Sequence, residues 1–218
     1  MGRRSRMFKQ FLRFFAATGF ALCLWTPLAQ AETVRGVGLG DSLMAGYQLP
    51  ADAGFPEQLE AALKAEGFDV AITNAGVSGD TTSGGLARLD WSVPDGTHFV
   101  ILELGGNDAL RGIAPDLTRA NLEAMIERLE ARGIDVILAG MRAPPNMGGD
   151  YAGRFDTIFA ELAQEHDVPL YPFFLDGAIT VDGMMQADGI HPTSDGVAAM
   201  VERFVPLMRT YLSGRDGN

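Results

Sequence analysis

Residues 34–43 read Val34-Arg35-Gly36-Val37-Gly38-Leu39-Gly40-Asp41-Ser42-Leu43. Val34–Leu39 is a short apolar run of strand character, and the chain then breaks at Gly40-Asp41 to deliver a serine at the carboxyl end of the run. Four further runs of this kind come later: Val70–Asn74, Phe99–Leu104, Val136–Ala139 and Val168–Phe174. Segments of helical period alternate with them. Phe55, Leu59, Ala62 and Leu63 form one apolar stripe, and Leu122, Met125, Ile126 and Leu129 a second. Phe155, Ile158, Phe159 and Leu162 form a third, and Val197, Met200, Val201, Phe204 and Met208 a last one after the fifth run. Gly67 and Gly133 stand just past the first two helical segments, where a helix is expected to stop.

Strands that alternate with helices predict an α/β protein: a three-layer α/β/α sandwich around a five-stranded parallel, doubly wound sheet of flavodoxin-like order 2-1-3-4-5. Such sheets bind ligands outside the carboxyl ends of their strands. The residues just past each run therefore matter most. Ser42 stands after the first, Val77-Ser78-Gly79-Asp80 after the second, Gly105-Gly106-Asn107-Asp108 after the third, and Asp188-Gly189-Ile190-His191 occupies the loop after the fifth. Residues from most of the chain are predicted to meet at one edge.

The 218 residues suffice for one domain with a substantial core, and 47% hydrophobic with 21% charged residues argues against disorder. The first 31 residues stand apart. Arg3, Arg4, Arg6, Lys9 and Arg13 make a basic start, Phe14 to Trp25 is apolar, and Ala29-Gln30-Ala31 has the small-x-small cleavage pattern. This is the layout of a signal peptide at 1–31, with the working domain at 32–218. The apolar stretch is too short for a membrane span, so no membrane anchor is expected after cleavage, and the mature protein is expected in the periplasm or secreted. The only cysteine, Cys23, leaves with the signal, which removes disulfides, thiolate metal sites and cysteine nucleophiles together. Five basic residues leave as well, taking the formal charge from −11 to −16. So acidic a surface repels nucleic acid and anionic lipid headgroups, so neutral or zwitterionic substrates are expected, and the protein is expected to be a monomer.

Ser42 needs a base, and His191 is the natural one. Asp188, three residues earlier on a turn, has the spacing to reach Nδ1 of that ring. Each also has a plain structural reading, Asp188 as a turn residue and His191 as a neighbour of the last helix, but the combination with Ser42 favours chemistry. Asn107 can donate its amide to an oxyanion or make an Asx-turn; Gly79 can offer its N–H or simply turn the chain. No G-x-S-x-G elbow, P-loop, G-x-G-x-x-G or H-E-x-x-H is present. His98 and His166 suit surface roles, and neither a metal nor a cofactor is expected.

Gly40-Asp41-Ser42-Leu43, Gly79, Gly105-x-Asn107-Asp108 and Asp188-x-x-His191-Pro192 together resemble the four blocks of the SGNH (GDSL) hydrolase superfamily. The wider stretches Gly40–Tyr47, Asn74–Leu89 and Glu103–Gly112 are similar to its periplasmic branch of thioesterase I, lysophospholipase and arylesterase. The resemblance implies catalytic Ser42, His191 and Asp188, an oxyanion hole from Ser42, Gly79 and Asn107, and hydrolysis through an acyl-enzyme. It makes Asp41 a structural partner of its loop and Asp108–Ile113 a loop that helps hold the acyl chain, with Arg111 as a loop anchor. Asp108, Leu110, Met141, Met147, Met185 and Ile190 are the expected substrate contacts.

Met44, Met141, Met147, Met184 and Met185 fall in segments expected at the catalytic edge, where flexible thioethers suit a varied acyl pocket or merely fill gaps. The expected substrates are aryl and acyl esters, lysophospholipid-like ones included, with thioesters less natural. A carbohydrate O-deacetylase is the alternative, though Trp91 is the mature chain's only tryptophan for a sugar groove. A non-catalytic binding module on the same fold has no need of all four site residues.

Overall fold

Each apolar run forms a strand, and the five pair in parallel in the order β2-β1-β3-β4-β5. The computed structural model describes residues 32–216, so the predicted signal peptide lies outside the described residues. In chain order the elements are β1 (Val34–Gly40), α1 (Ser42–Ala45), α2 (Phe55–Ala65), β2 (Val70–Gly76), α3 (Thr82–Ser92), β3 (Phe99–Glu103), α4 (Gly106–Leu110) and α5 (Pro115–Glu130). Then come β4 (Asp135–Ala139), a 3-10 turn at Pro145–Met147, α6 (Gly149–Asp156), α7 (Ile158–Glu165), β5 (Leu170–Tyr171) and α8 (Ser194–Asp216).

The sheet starts in its middle, moves outward to β2, then returns past β1 to β3, β4 and β5. With right-handed crossovers, that reversal sends α2 to one face and α3, α5, α6 and α7 to the other. Packing agrees with this division: α2 rests on α8, whereas α3 and α7 both rest on α5. The result is the three-layer α/β/α sandwich. The four apolar stripes are its glue. Phe55 and Phe204 meet edge to face at 5.2 Å between α2 and α8, and Leu122, Met125, Ile126 and Leu129 of α5 are all fully buried.

Two expectations about extent change. The fifth strand shrinks from Val168–Phe174 to Leu170–Tyr171, because Pro169 and Pro172 flank it and neither can donate to a ladder. The third stripe is divided between α6 and α7, which meet at Thr157 while Phe155, Ile158, Phe159 and Leu162 stay buried across the break.

Strand β1 explains why glycine recurs at every second position. Gly36, Gly38 and Gly40 share one face, and a Cβ on Gly38 would stand 2.6 Å from the Met44 sulfur. A Cβ on Gly36 would enter the Phe99 ring. The missing side chains let α1 and neighbouring β3 close directly onto the central strand.

Candidate active site

The strand ends form a level floor. Gly76, Gly40, Glu103, Ala139 and Tyr171 are successive partners across the whole sheet. Ser42, Gly79, Asn107, Met141 and Phe173 each stand two to four residues beyond that row. Parallel register therefore brings distant sequence to one rim.

Ser42 opens α1, a helix of four residues that needs outside support. Asp41 caps it: Oδ1 accepts the Leu43 N–H at 3.0 Å, while Oδ2 accepts from Nδ2 of Asn107 at 2.8 Å. The Asp41 N–H donates to Oε2 of Glu103 at 3.2 Å. The Gly40 carbonyl accepts from Nη2 of Arg88 at 2.8 Å, and Nε of that arginine pairs with Asp80 at 2.6 Å. Elements β3, α3 and α4 thus hold the serine turn from three directions. Burial pushes the Asp41 carboxyl up to about 6, against the bonds from Leu43 and Asn107 that pull it down. Burial raises Glu103 well above the carboxylate range, and the neighbouring Asp41 charge raises it further. Its Oε1 has no partner among the described residues, which a neutral carboxyl tolerates better than a charged one.

The His191 ring bridges the serine and an acid. Its Nε2 lies 2.9 Å from Oγ of Ser42, and its Nδ1 lies 2.7 Å from Oδ2 of Asp188. Oδ1 of Asp188 accepts the backbone N–H groups of Ile190 and His191 at 2.9 and 3.0 Å. The ring bond foremost, and then these two, pull the Asp188 carboxyl down to about 2. An ionised Asp188 only accepts, so Nδ1 carries the hydrogen and Nε2 is left free to accept from Ser42. The turn is tied to the serine side by Gln186, whose Nε2 donates to the Tyr47 and Pro192 carbonyls, both at 2.9 Å. The Tyr47 ring packs 4.4 Å from the imidazole.

Oxyanion donors are available in the same region. Among the described residues, neither the Ser42 N–H nor the Gly79 N–H has a hydrogen-bond partner. Gly79 takes φ +82, and Nη2 of Arg111 fixes it by donating to its carbonyl at 2.7 Å. Arg111 is thus an anchor of the loop after α4. Ser42, Asn107 and His191 line a cavity of about 570 Å³, and Gly79 stands outside its wall. The rest of the lining is chiefly apolar: Leu43, Leu110, Met141, Phe173, Leu175, Ile179 and Ile190. No group of three His, Cys, Asp or Glu side chains among the described residues is arranged to hold a metal ion.

Leu110, Met141 and Ile190 therefore line the cavity, but Asp108, Met147 and Met185 do not. Asp108 is fully buried, accepting the Thr82 N–H at 2.8 Å together with the Thr82 and Thr118 hydroxyls. It locks α3 and α5 to α4 instead of touching substrate. Met185 bridges to Pro192 and packs on the core, and the Met147 methyl lies towards Gly112. Of the five methionines expected at this edge only Met141 lines the cavity, while Met44 is core. Sequence reasoning missed Tyr47, Arg88, Glu103, Arg142 and Phe173. Phe173 had a signal, since it stands two residues past a strand end as Ser42 does.

The description GDSL-like Lipase/Acylhydrolase family matches residues 39–199. The chain belongs to that family. This GDSL-like hydrolase is 40% identical over 193 residues to the esterase TesA of Pseudomonas aeruginosa, covering 88% of this chain and 95% of the relative. It is 38% identical over 177 residues to thioesterase 1/protease 1/lysophospholipase L1 of Escherichia coli K12, covering 81% and 83%. The crystal structure of AlinE4, an SGNH-hydrolase family esterase, superposes with a TM-score of 0.70 at 42% identity, over 84% of this chain and 99% of that one. The GDSL-like hydrolase is accordingly an enzyme of the esterase and thioesterase type.

Proposed function

We propose that the enzyme cleaves acyl and aryl carboxylic esters through an acyl-enzyme on Ser42. The observation that carries this reading is the continuous chain from Oγ of Ser42 through the His191 ring to Asp188, with links of 2.9 and 2.7 Å. Nε2 of His191 takes the Ser42 proton as Oγ attacks the ester carbonyl, and ionised Asp188 stabilises the imidazolium. The oxyanion receives the Ser42 and Gly79 N–H groups and Nδ2–H of Asn107. Collapse expels the alcohol, protonated by Nε2–H; water then enters, gives a proton to Nε2 and attacks the acyl carbon. The second collapse frees the acid and returns the proton to Ser42.

Apolar walls of leucine, isoleucine, methionine and phenylalanine favour acyl chains and aryl rings over sugars. Trp91 is 74% exposed on α3 and does not line the cavity, so a polysaccharide deacetylase gains no support. The basic, apolar and small-residue pattern of residues 1–31 supports export and cleavage near Ala31, so the enzyme meets its esters in the periplasm or outside the cell.

A panel of p-nitrophenyl esters from acetyl to palmitoyl tests the proposal, with Ser42→Ala as control. The variant should lose about 10³–10⁶ in kcat. Turnover equal to that of the unaltered enzyme would overturn the serine assignment.

A further inference from the structure

The arginines of this enzyme are nearly all spoken for. Among the described residues, eight of the eleven sit within ion-pair distance of a carboxylate: Arg35, Arg88, Arg119, Arg132, Arg154, Arg203, Arg209 and Arg215. Arg111 donates to the Gly79 carbonyl. That leaves Arg128, on α5, and Arg142, three residues past the end of β4. In a protein with 28 acidic and 17 basic residues, an arginine without a carboxylate is out of the ordinary. Arg142 is also the one that lines the cavity.

Its surroundings fit a binding role. The guanidinium carbon stands 4.8 Å from the centroid of the Phe173 ring, so one face of the cation is held on an aromatic surface that is itself cavity wall. Such stacking fixes the plane of the fork, and among the described residues the edge N–H groups of this exposed side chain have no acceptor. Nothing in the lining competes for them. The only carboxylate there is Asp41, which is 2% exposed and already accepts from Leu43 and Asn107. A strongly acidic protein thus keeps a cavity whose one free charge is positive. An anion entering it would exchange water for a flat pair of charge-assisted hydrogen bonds, with the apolar part of the same molecule against the leucine and phenylalanine walls.

We propose that Arg142 is an anion-recognition residue of the active-site cavity, and that the preferred substrates are amphiphilic esters carrying one phosphate or carboxylate near the scissile bond. The inference rests on the ester-hydrolase reading above and names the substrate class of that same site. A phosphate on the alcohol portion, as in a lysophospholipid, and a carboxylate on the acyl portion present the same chemistry to a guanidinium.

Three matched esters separate these cases: phenyl butyrate, 4-butyryloxybenzoate with its anion on the leaving group, and monophenyl glutarate with its anion on the acyl group. For each enzyme variant, kcat/KM on each anionic ester is divided by that on phenyl butyrate, which removes changes common to all three. Arg142→Gln should lower at least one ratio by about tenfold. The affected ester tells which portion faces Arg142. Arg142→Lys should recover part of the loss, because the charge returns without the planar fork. Arg128→Gln, which removes the same charge away from the cavity, should leave both ratios where they were. Ratios unchanged in Arg142→Gln, or lowered equally by Arg128→Gln, would overturn the inference. If the unaltered enzyme hydrolyses phenyl butyrate and Ser42→Ala does not, that failure belongs to the Arg142 inference alone. If no ester is turned over, the ester-hydrolase reading itself has failed.

Discussion

Replacing Asp41 with asparagine should make the enzyme sturdier at alkaline pH and slower at the same time. Asp41 is 2% exposed, and burial raises its carboxyl from 3.8 to about 6. The folded protein therefore holds that proton to higher pH than the unfolded chain does. Stability from this group is full below pH 3.8 and is lost as pH rises through 6. A displacement of this size corresponds to about 3 kcal/mol in all, of which about 2.5 kcal/mol falls between pH 4 and pH 8. Asparagine has no such titration. Urea unfolding of both proteins at pH 4 and pH 8 gives four stabilities, and the advantage of Asp41→Asn over the unaltered enzyme should grow by about 2.5 kcal/mol from the lower pH to the higher. New bonds made by asparagine enter at both pH values and cancel. Activity should move the other way, because one amide oxygen cannot replace two carboxylate oxygens that accept separately from Leu43 and Asn107. An advantage that is the same at both pH values, within about 0.5 kcal/mol, would refute the idea that a strained anion sits beneath the serine.

Removing the Asn107 amide in Asn107→Ala should lower kcat by about 10²–10³ with little change in KM, measured on a p-nitrophenyl ester; an effect confined to KM would assign Asn107 to ground-state binding instead. Asp188→Asn should cost about 10⁴ in kcat by allowing the wrong imidazole tautomer. Because its hydrogen bonds pull Asp188 down to about 2, the carboxylate is present throughout the range from pH 4 to 9, and a rate profile over that range should contain no step belonging to it. Gly79→Ala should destabilise the fold by about 1–2 kcal/mol and so lower the melting temperature, since φ is +82 and an added Cβ meets only Nη2 of Arg111, at 3.6 Å. A melting curve that coincides with that of the unaltered enzyme would show that alanine fits there.

The parts of this fold that were legible in the sequence are those where one residue's role depends on its near neighbours. Burial is continuous over most of β1 and periodic along the stripes of α2, α5 and α8, and both patterns show in the chain. Asp188 reaches His191 across a turn of three residues, and that spacing is local as well. Helix α3 was not legible for the same reason in reverse. It begins Thr82-Ser83-Gly84-Gly85, buries Arg88 where an apolar residue would give a stripe, and is secured by Asp108 from 26 positions away. The misreading of Asp108 is the other half of that one contact. A carboxylate next to Asn107 looks like part of the site, yet its partners are Thr82 and Thr118, and only the packed fold brings them together.

The cavity wall follows from the sheet as directly as the reacting groups do. Once the strand ends form a row in register, the next few residues after every strand are candidates, not only those of polar chemistry. Arg142 after β4 and Phe173 after β5 satisfy that rule as fully as Ser42 after β1. Neither is marked by its own chemistry, because a phenylalanine carries no reactive group and an arginine in a loop has the composition of ordinary surface. Chemistry selects the residues that react; the register of a parallel sheet selects those that stand beside them, and it does so without regard to side-chain type.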